Sequence, residues 1–368
     1  MRENDWMSPI PTYSISQRAR DYLRGKRVMI TGVCGTIGAQ LARQLLYQFE
    51  VGALVGLDHN ESGLTDLQGA YSGRDAAQFL LGDIRDLAGL IRAARNVDVL
   101  FHAAAYKHVN VCERSPLEAI HTNVLGVQNV IQAASENGIQ RLVFTSSDKA
   151  VNPTNVMGTS KLLGERLITA AAVESNQSGS VFLSTRFGNV LGSRGSVIPI
   201  FREQIRKGGP VTLTDSAMTR FIMSLDDAVR LVIESVVLGR PGDVLITKMD
   251  AIRVTDLASV MVREYAPLFG RRAEDIEIRL IGPKPAEKLY EELMNEEEIR
   301  RSLELERYFV VRPAMTFPHV ETPPYEGLIE HRVERPYHSA NVSLLSEQAL
   351  AAFLRDNRLL EVPGNGMS

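Results

Sequence analysis

What this chain has little of narrows its function first. It carries only two cysteines, Cys34 and Cys112, in 368 residues, too few for a disulfide scaffold. No Cys/His spacing of the kind that holds zinc occurs, so no metal is expected. No apolar run reaches the roughly 18 residues that a membrane helix needs. The polar start Met1-Arg-Glu-Asn-Asp5 lacks the pattern of a signal peptide, and a soluble, cytoplasmic protein without a membrane partner is expected. Neither sign of charge dominates. A net charge of −3 gives no electrostatic footprint for nucleic acid. Internal repeats and low-complexity tracts are absent as well. What remains is a chain that is 44% hydrophobic, ample for one large domain or for one domain with a smaller lobe.

Residues 1–25 are polar, carry Pro9 and Pro11, and read as an N-terminal extension with a short helix near 16–24. Residues 27–31 then read as a strand, followed directly by Gly32-Val-Cys-Gly35-Thr36-Ile37-Gly38 and an apolar-periodic helix over 39–47. Glycines at these three positions let the backbone turn tightly and approach a pyrophosphate, whose charge then sits on the helix N-terminus with Thr36 and Ile37. An ordinary tight turn would explain the glycines alone. The next strand, 53–57, ends in Asp58, twenty residues beyond Gly38, where a carboxylate takes the adenosine ribose hydroxyls. His59-Asn60-Glu61 follow, with no Arg or Lys to receive a 2′-phosphate, so NAD is expected rather than NADP. Cys34 inside the loop reads as a small packed residue.

The strand and helix alternation continues. Residues 79–85 read as strand three, containing Asp83 and Ile84, and 97–105 as strand four, whose small Ala103, Ala104 and Ala105 permit close backbone approach. Tyr106-Lys107-His108-Val109 follows as a loop, and the helix after it starts at 121–126, with Asn123 inside. Residues 142–145 form a short β-leaning run and 160–172 a helix. The stretch from Thr145 through Ser147-Asp148-Lys149 to Lys161 therefore places an acid, two lysines and hydroxyls at a strand's C-terminal end and the following helix start. In open parallel sheets ligands bind there; the blander alternative is a salt bridge from Asp148 to Lys149 or Lys161.

After a strand at 181–186 the alternation loosens. A short strand at 211–214, a loop at 218–221, helices at 225–238, 254–265 and 286–295, and strands at 244–247 and 276–280 point to a smaller α/β lobe. Arg194, Arg220 and Lys288 spread cations over three of its loops, and arginine meets a pyrophosphate bidentately. Pro313, Pro318, Pro323 and Pro324 break the tail into extended pieces before a helix at 346–355. The fold class expected is α/β: a Rossmann-type doubly wound parallel sheet over 26–189, to which later segments return, a lobe over 190–312, and a tail, 313–368, packed on that lobe.

Three segments, Ala103-Ala-Ala-Tyr-Lys-His108, Ser147-Asp-Lys-Ala-Val-Asn-Pro-Thr-Asn-Val-Met-Gly158 and Glu287-Lys-Leu-Tyr-Glu-Glu-Leu293, carry a resemblance to the extended short-chain dehydrogenase/reductase family. Within it they are similar to the nucleotide-sugar 4,6-dehydratases, in the branch acting on UDP-N-acetylglucosamine and in its short form without preceding membrane helices. The resemblance spans residues 27 to about 300. It implies adenine contacts from Asp83 and Ile84, cofactor contacts from Ala103, Ala104 and Ala105, and a loop, Lys107-His108, facing nicotinamide and sugar. Asn123 corresponds to a buried asparagine that supports the site. Asn189 and Arg194 fall in the segment lining the sugar pocket, and Arg220, Glu287 and Lys288 in segments closing on the diphosphate; Ala286 stands where the family has Gly. A UDP-sugar partner and a homo-oligomer follow from the same resemblance.

Such a reaction removes hydride from C4, eliminates water across C5 and C6, and returns hydride to C6. It needs a base for the C4 hydroxyl and two further proton carriers. The resemblance gives Asp148 the role of acid at the C6 hydroxyl and Lys149 that of base at C5, states that burial favours for both by disfavouring their charged forms. Lys161 would bind the nicotinamide ribose. The usual tyrosine is Met157 here, which takes no proton, so the C4 base is open between a relay through Ser147, Asp148 itself, or a water. Three readings stand: a 4,6-dehydratase retaining or inverting C5; a C4-epimerase or other nucleotide-sugar oxidoreductase, against which Lys149 counts; and a catalytically silent NAD-binding scaffold.

Overall fold

The computed structural model describes residues 17–175, 179–193, 196–282, 287–315, 325 and 327–361. The chain divides into two units. The first contains the chain up to Phe187 together with Asp226–Lys248 and Asn295–Arg335; the second contains Gly188–Leu225, Met249–Met294 and the chain from Pro336 on. The lobe boundary of 190–312 drawn from the sequence thus takes in two segments, 226–248 and 295–312, that belong to the first unit.

In the first unit α1 (Gln17–Leu23) precedes a run of strands and helices: β1 (Arg27–Thr31), α2 (Thr36–Gln48), β2 (Ala53–Asp58), α3 (Glu61–Ala70), β3 (Ala77–Leu81), α4 (Leu87–Ala93) and β4 (Val99–His102). Then come α5 (Val109–Arg114), α6 (Pro116–Ile120), α7 (Gly126–Glu136), β5 (Arg141–Thr145), α8 (Val156–Ser175) and β6 (Val181–Arg186). The six strands lie side by side in the order β3-β2-β1-β4-β5-β6, all parallel. Val244–Thr247 adds parallel to β6, and Tyr308–Val311, Ser302–Leu305 and Leu328–Glu330 extend the edge antiparallel. A parallel sheet covered on both faces needs strands that are apolar throughout. Val28, Met29 and Ile30 of β1 and Leu142, Val143 and Phe144 of β5 are at most 1% exposed. Met29, Val55, Leu100, Phe144 and Phe182 from the sheet pack with Val127, Val130 and Ile168 from α7 and α8. The winding reverses between β1 and β4, which opens a crevice at the strands' C-terminal ends.

The second unit has its own core. Phe201 and Ile205 of the helix Val197–Lys207, Leu257 and Met261 of Val254–Tyr265, and Leu350 and Leu354 of Glu347–Asp356 enclose it. Two expectations change here. Of residues 218–221, read as a loop, all but Met218 belong to a strand, Thr219–Met223, because it finds partners on both sides in Asp250–Arg253 and Asn189–Val190. The helix expected over 286–295 does not form in its described part; Glu292–Met294 is a strand paired with Tyr337–His338. Nearer the first crevice, the helix placed at 121 begins earlier, at α6, since Pro116 supplies a helix first turn, and α5 precedes it. Asp83 and Ile84 stand just beyond β3 rather than in it. Among the described residues no helix is long and apolar enough to cross a membrane.

One buried carboxyl makes the first unit's stability depend on pH. Asp243, 2% exposed, accepts the Arg240 backbone N–H and the Tyr325 hydroxyl, each at 2.9 Å. Burial pushes it from its ordinary value of 3.8 up to about 7 against the opposing pull of those donors. A raised folded-state value means that the stability it contributes is present below about pH 4 and is lost as pH climbs toward about 7. From about pH 5 to pH 8 this group alone should remove about 3 kcal/mol. Urea unfolding at the two pH values should show the loss in the wild type and a smaller one in Asp243→Asn; equal losses would contradict it.

Candidate active site

The glycine-rich loop joins β1 to α2, and two of its glycines, Gly32 and Gly38, are required sterically. Gly32 has φ +75°, and a Cβ there would stand 2.6 Å from the Ala104 backbone nitrogen; a Cβ on Gly38 would stand 2.2 Å from the Gly32 carbonyl oxygen. Gly35 caps α2 without any side chain, so the first-turn N–H groups at Thr36 and Ile37 face outward with the positive end of the helix dipole. Asp58, at the end of β2 and 8% exposed, accepts the Cys34 N–H at 2.9 Å and the Asn60 N–H at 3.0 Å. This cradle of close backbone, uncapped helix start and adjoining carboxylate fits a dinucleotide. Ile84 is buried, whereas the Asp83 carboxylate is gripped by Arg85 at 2.6 to 3.1 Å and held below its ordinary value by that hydrogen bond. Ala103, Ala104 and Ala105 are half-buried beyond β4, and Lys107 and His108 are exposed.

Beyond β5 the chain turns sharply. Ser147, extended at φ −156°, accepts the Lys149 N–H at 3.2 Å and so caps a single turn, Asp148–Ala150. Asp148 is 1% exposed; its Oδ1 accepts the Ser147 hydroxyl at 2.5 Å and the Lys149 ammonium at 3.0 Å. Its Oδ2 is buried without a hydrogen-bond partner, a state that costs free energy unless something approaches it. The ion pair foreseen as the plain alternative therefore exists, between Asp148 and Lys149. Lys161 is engaged elsewhere: its ammonium, 6% exposed, donates to the Thr145 carbonyl at 2.9 Å and lies 4.8 Å from the Phe144 ring centre. Burial lowers it to about 8, with Glu165 pulling the other way. Met157 is 3% exposed in an apolar cluster with Cys112 and Ala119, against Tyr106 and Val109.

Residues beyond the sequence reading complete this arrangement. Gly158 brings α8 against the turn, since a Cβ there would stand 2.2 Å from the Lys149 carbonyl oxygen. His102 is fully buried, lies 2.7 Å from the Thr31 hydroxyl and is pushed down to about 3 by burial, so it stays uncharged. Arg186, at the end of β6, holds Glu165 and Glu298. The sequence signal for all three is weak: one glycine, one histidine and one strand-end arginine.

The remaining candidates belong to the second unit. Asn189 opens a short strand paired with Ile222. Arg220, 11% exposed at its side chain, donates to the Thr219, Leu289 and Lys288 carbonyls at 2.7, 3.2 and 2.8 Å and lies 3.9 Å from Glu287 and 3.5 Å from Glu291. Its donors thus already tie down the 287–291 stretch. Lys288 faces Glu292 at 3.5 Å. Arg194 and Ala286 lie outside the described residues. Among the described residues no group of three or more His, Cys, Asp or Glu side chains could hold a metal ion.

Residues 28–313 match the family described as polysaccharide biosynthesis protein. The chain belongs to this family. A family relative from Methanocaldococcus jannaschii, described as an uncharacterised membrane protein, is 47% identical over 297 residues, 81% of this chain and 89% of its own. A UDP-glucose 4-epimerase of Rickettsia canadensis is 39% identical over 77% of this chain and 82% of the relative. A UDP-N-acetylglucosamine 4,6-dehydratase (inverting) of Campylobacter jejuni is 34% identical over 79% and 84%. The X-ray structure of Pen from Bacillus thuringiensis, 38% identical, covers 92% of this chain and 100% of its own with a TM-score of 0.85. Relatives of this chain therefore include both nucleotide-sugar dehydratases and epimerases.

Asn123 locks this region together. Its segment, His121–Leu125, is a π-turn that widens the helix path. Its Oδ1 accepts the Tyr106 N–H at 2.8 Å, and its Nδ2 donates to the Tyr106 carbonyl and to Ser160 Oγ, both at 2.9 Å. Asn123→Ala leaves these groups unpaired and should destabilise the protein by about 2 kcal/mol or more. Urea unfolding measures this; a variant as stable as the wild type would contradict the role.

Proposed function

We propose that this protein catalyses the NAD-dependent 4,6-dehydration of UDP-N-acetylglucosamine, or a closely related UDP-sugar, to a 4-keto-6-deoxy product for surface-polysaccharide or modified-sugar synthesis. The observation that carries the reading is Asp148: a buried carboxylate with one oxygen on Ser147 and Lys149 and the other buried without a partner. The Campylobacter jejuni relative performs this class of reaction by its name.

When bound, the nicotinamide would take hydride from C4 of the sugar and return it to C6. Gly32, Gly35 and Gly38 would admit the pyrophosphate, Asp58 would take the adenosine ribose hydroxyls, and Asp83, Ile84 and Ala103, Ala104 and Ala105 would line the rest of the cofactor path. Lys161, anchored on Thr145, would hold the nicotinamide ribose. With Met157 in apolar surroundings, the C4 hydroxyl proton goes to Ser147 Oγ, which passes its own to Asp148 Oδ1 across the 2.5 Å hydrogen bond. Asp148 then carries the proton that the departing C6 hydroxyl requires. Its neutralisation removes the charge that Lys149 faces at 3.0 Å, so the ammonium sheds a proton to solvent more easily and the free amine takes the C5 proton. After hydride returns to C6, Lys149 gives that proton back to C5.

In this reading Lys107, His108 and Met157 are sugar contacts, and Asn189, Arg194, Arg220, Glu287 and Lys288 nucleotide-sugar contacts, as the family resemblance implies. The protein works in the cytoplasm as a homo-oligomer. The Rickettsia relative favours a second reading, C4 epimerisation, which needs no base at C5 and gives Lys149 no task. A silent NAD-binding scaffold would need neither.

Purified protein incubated with UDP-N-acetylglucosamine and no added NAD should yield a 4-keto-6-deoxy sugar, visible by NMR and by its absorbance in base. A 4-epimer in its place would establish the second reading, and no product from any UDP-sugar the scaffold reading. For the cofactor, NAD should bind more tightly than NADP and Asp58→Ala should narrow the gap; NADP co-purifying with the protein would overturn that preference.

A further inference from the structure

Behind Lys161 lies a buried charge network to which the proposed reaction assigns no task. Arg186 is 1% exposed and carries two carboxylates on one guanidinium. It donates from Nε and Nη2 to Glu165 at 2.7 and 2.6 Å, and from Nη1 and Nη2 to Glu298 at 2.9 and 2.8 Å. Glu165 and Glu298 are 1% and 2% exposed. Buried ion triads are weak as pure stabilisers, since well-packed apolar residues often serve equally well. One carboxylate would neutralise Arg186; two leave a surplus negative charge on the triad, which Arg301 meets only from the Glu298 side, at 3.9 Å. Glu165 stands one helical turn beyond Lys161 on the same face of α8, so the carboxylate of the triad remote from Arg301 is the one beside the buried ammonium.

We propose that Glu165, Arg186 and Glu298 are positioning residues for the cofactor chemistry: their net negative charge keeps Lys161 an ammonium inside the protein, and Arg186 fixes the place from which that charge acts. The inference rests on the reading that Lys161 meets the nicotinamide ribose. Desolvation works against the ammonium, and Glu165 is the group that opposes it. The other surroundings offer little help. His102 on β4 is neutral, Asp148 on the turn after β5 is paired with Lys149, and Glu113, Glu118 and His121 on the segments packed against α8 are exposed. Glu298 is held in place by its own turn, whose N–H groups at Glu297 and Glu298 are capped by Asn295 Oδ1.

The full-length wild type, Glu165→Gln, Glu298→Gln and the charge-conserving Glu165→Asp are titrated with NADH from about pH 6 to about pH 9, with a melting temperature recorded for each. An ammonium titrating near 8 should weaken wild-type NADH binding about twofold between pH 6 and pH 8. Loss of the nearest negative charge should move the transition down by about one unit or more, a roughly tenfold weakening over the same range for Glu165→Gln. Glu298→Gln, acting through the guanidinium, should fall between them, and Glu165→Asp should keep the wild-type profile. Superimposable pH profiles for the wild type and both glutamine variants, whatever their melting temperatures, would reduce the network to a structural clamp and overturn the proposal. A wild type that binds no NADH would overturn the cofactor reading beneath it. Should Glu165→Gln fail to fold, Glu298→Gln against Glu165→Asp carries the same comparison.

Discussion

The candidate site depends on one close approach, that of α8 to the turn that ends β5. A hydrogen in place of a side chain at Gly158 lets the helix start lie against the Lys149 carbonyl, where a Cβ would be 2.2 Å away. That contact puts Ser160 within reach of Asn123 and Lys161 within reach of the Thr145 carbonyl. It also confines the turn itself, so Asp148 is driven inward and stays 1% exposed. A larger residue at 158 would part the helix from the turn, and the carboxylate and the two lysines would no longer share one strand end.

Low dielectric then makes the charges at this strand end consequential. Asp148 and Lys149 hold each other as an ion pair; in the proposed reaction the acid and base needed for elimination differ from that pair by two protons, one gained by Asp148 along the Ser147 hydrogen bond and one lost by Lys149. Lys161 has no carboxylate of its own on the turn and takes a carbonyl oxygen instead. Its nearest compensation comes through the helix, from a carboxylate that Arg186 holds still. A neutral His102 completes the lining, its ring against Phe144. The resulting pattern separates an ion pair, Asp148 with Lys149, from a lysine held on a backbone carbonyl.

Much of this was legible in the sequence because its causes are local. Apolar strands ending near Asp58 and Ser147-Asp148-Lys149, and glycines at 32, 35 and 38, point by spacing to the parallel sheet and to a candidate cofactor cradle at its strand ends. Asn123 was legible only through the family resemblance. Causes that act across the chain stayed hidden. Arg186, Glu165 and Glu298 lie 21 and 112 residues apart in pairs, and nothing near any of them announces the other two. Residues 218–221 read as a loop because the strand character of Thr219–Met223 comes from partners on either side, Asp250–Arg253 and Asn189–Val190. Arg220 read as a cation for the diphosphate, and its carbonyl partners went unseen because two of them come from residues 288 and 289, distant in sequence.

The central claim is that Asp148 and Lys149 are proton carriers with separate tasks, and solvent deuterium separates them. In deuterated water, with UDP-N-acetylglucosamine as substrate, Lys149→Ala should still oxidise C4 but should stop deuterium from entering C5, a loss of about 10² to 10⁴ in exchange rate. Asp148→Asn should block elimination and, if the Ser147 relay operates, the oxidation as well. A double variant, Asp148→Asn with Lys149→Ala, that binds NAD and turns over at near the wild-type rate would show that the pair is only a salt bridge.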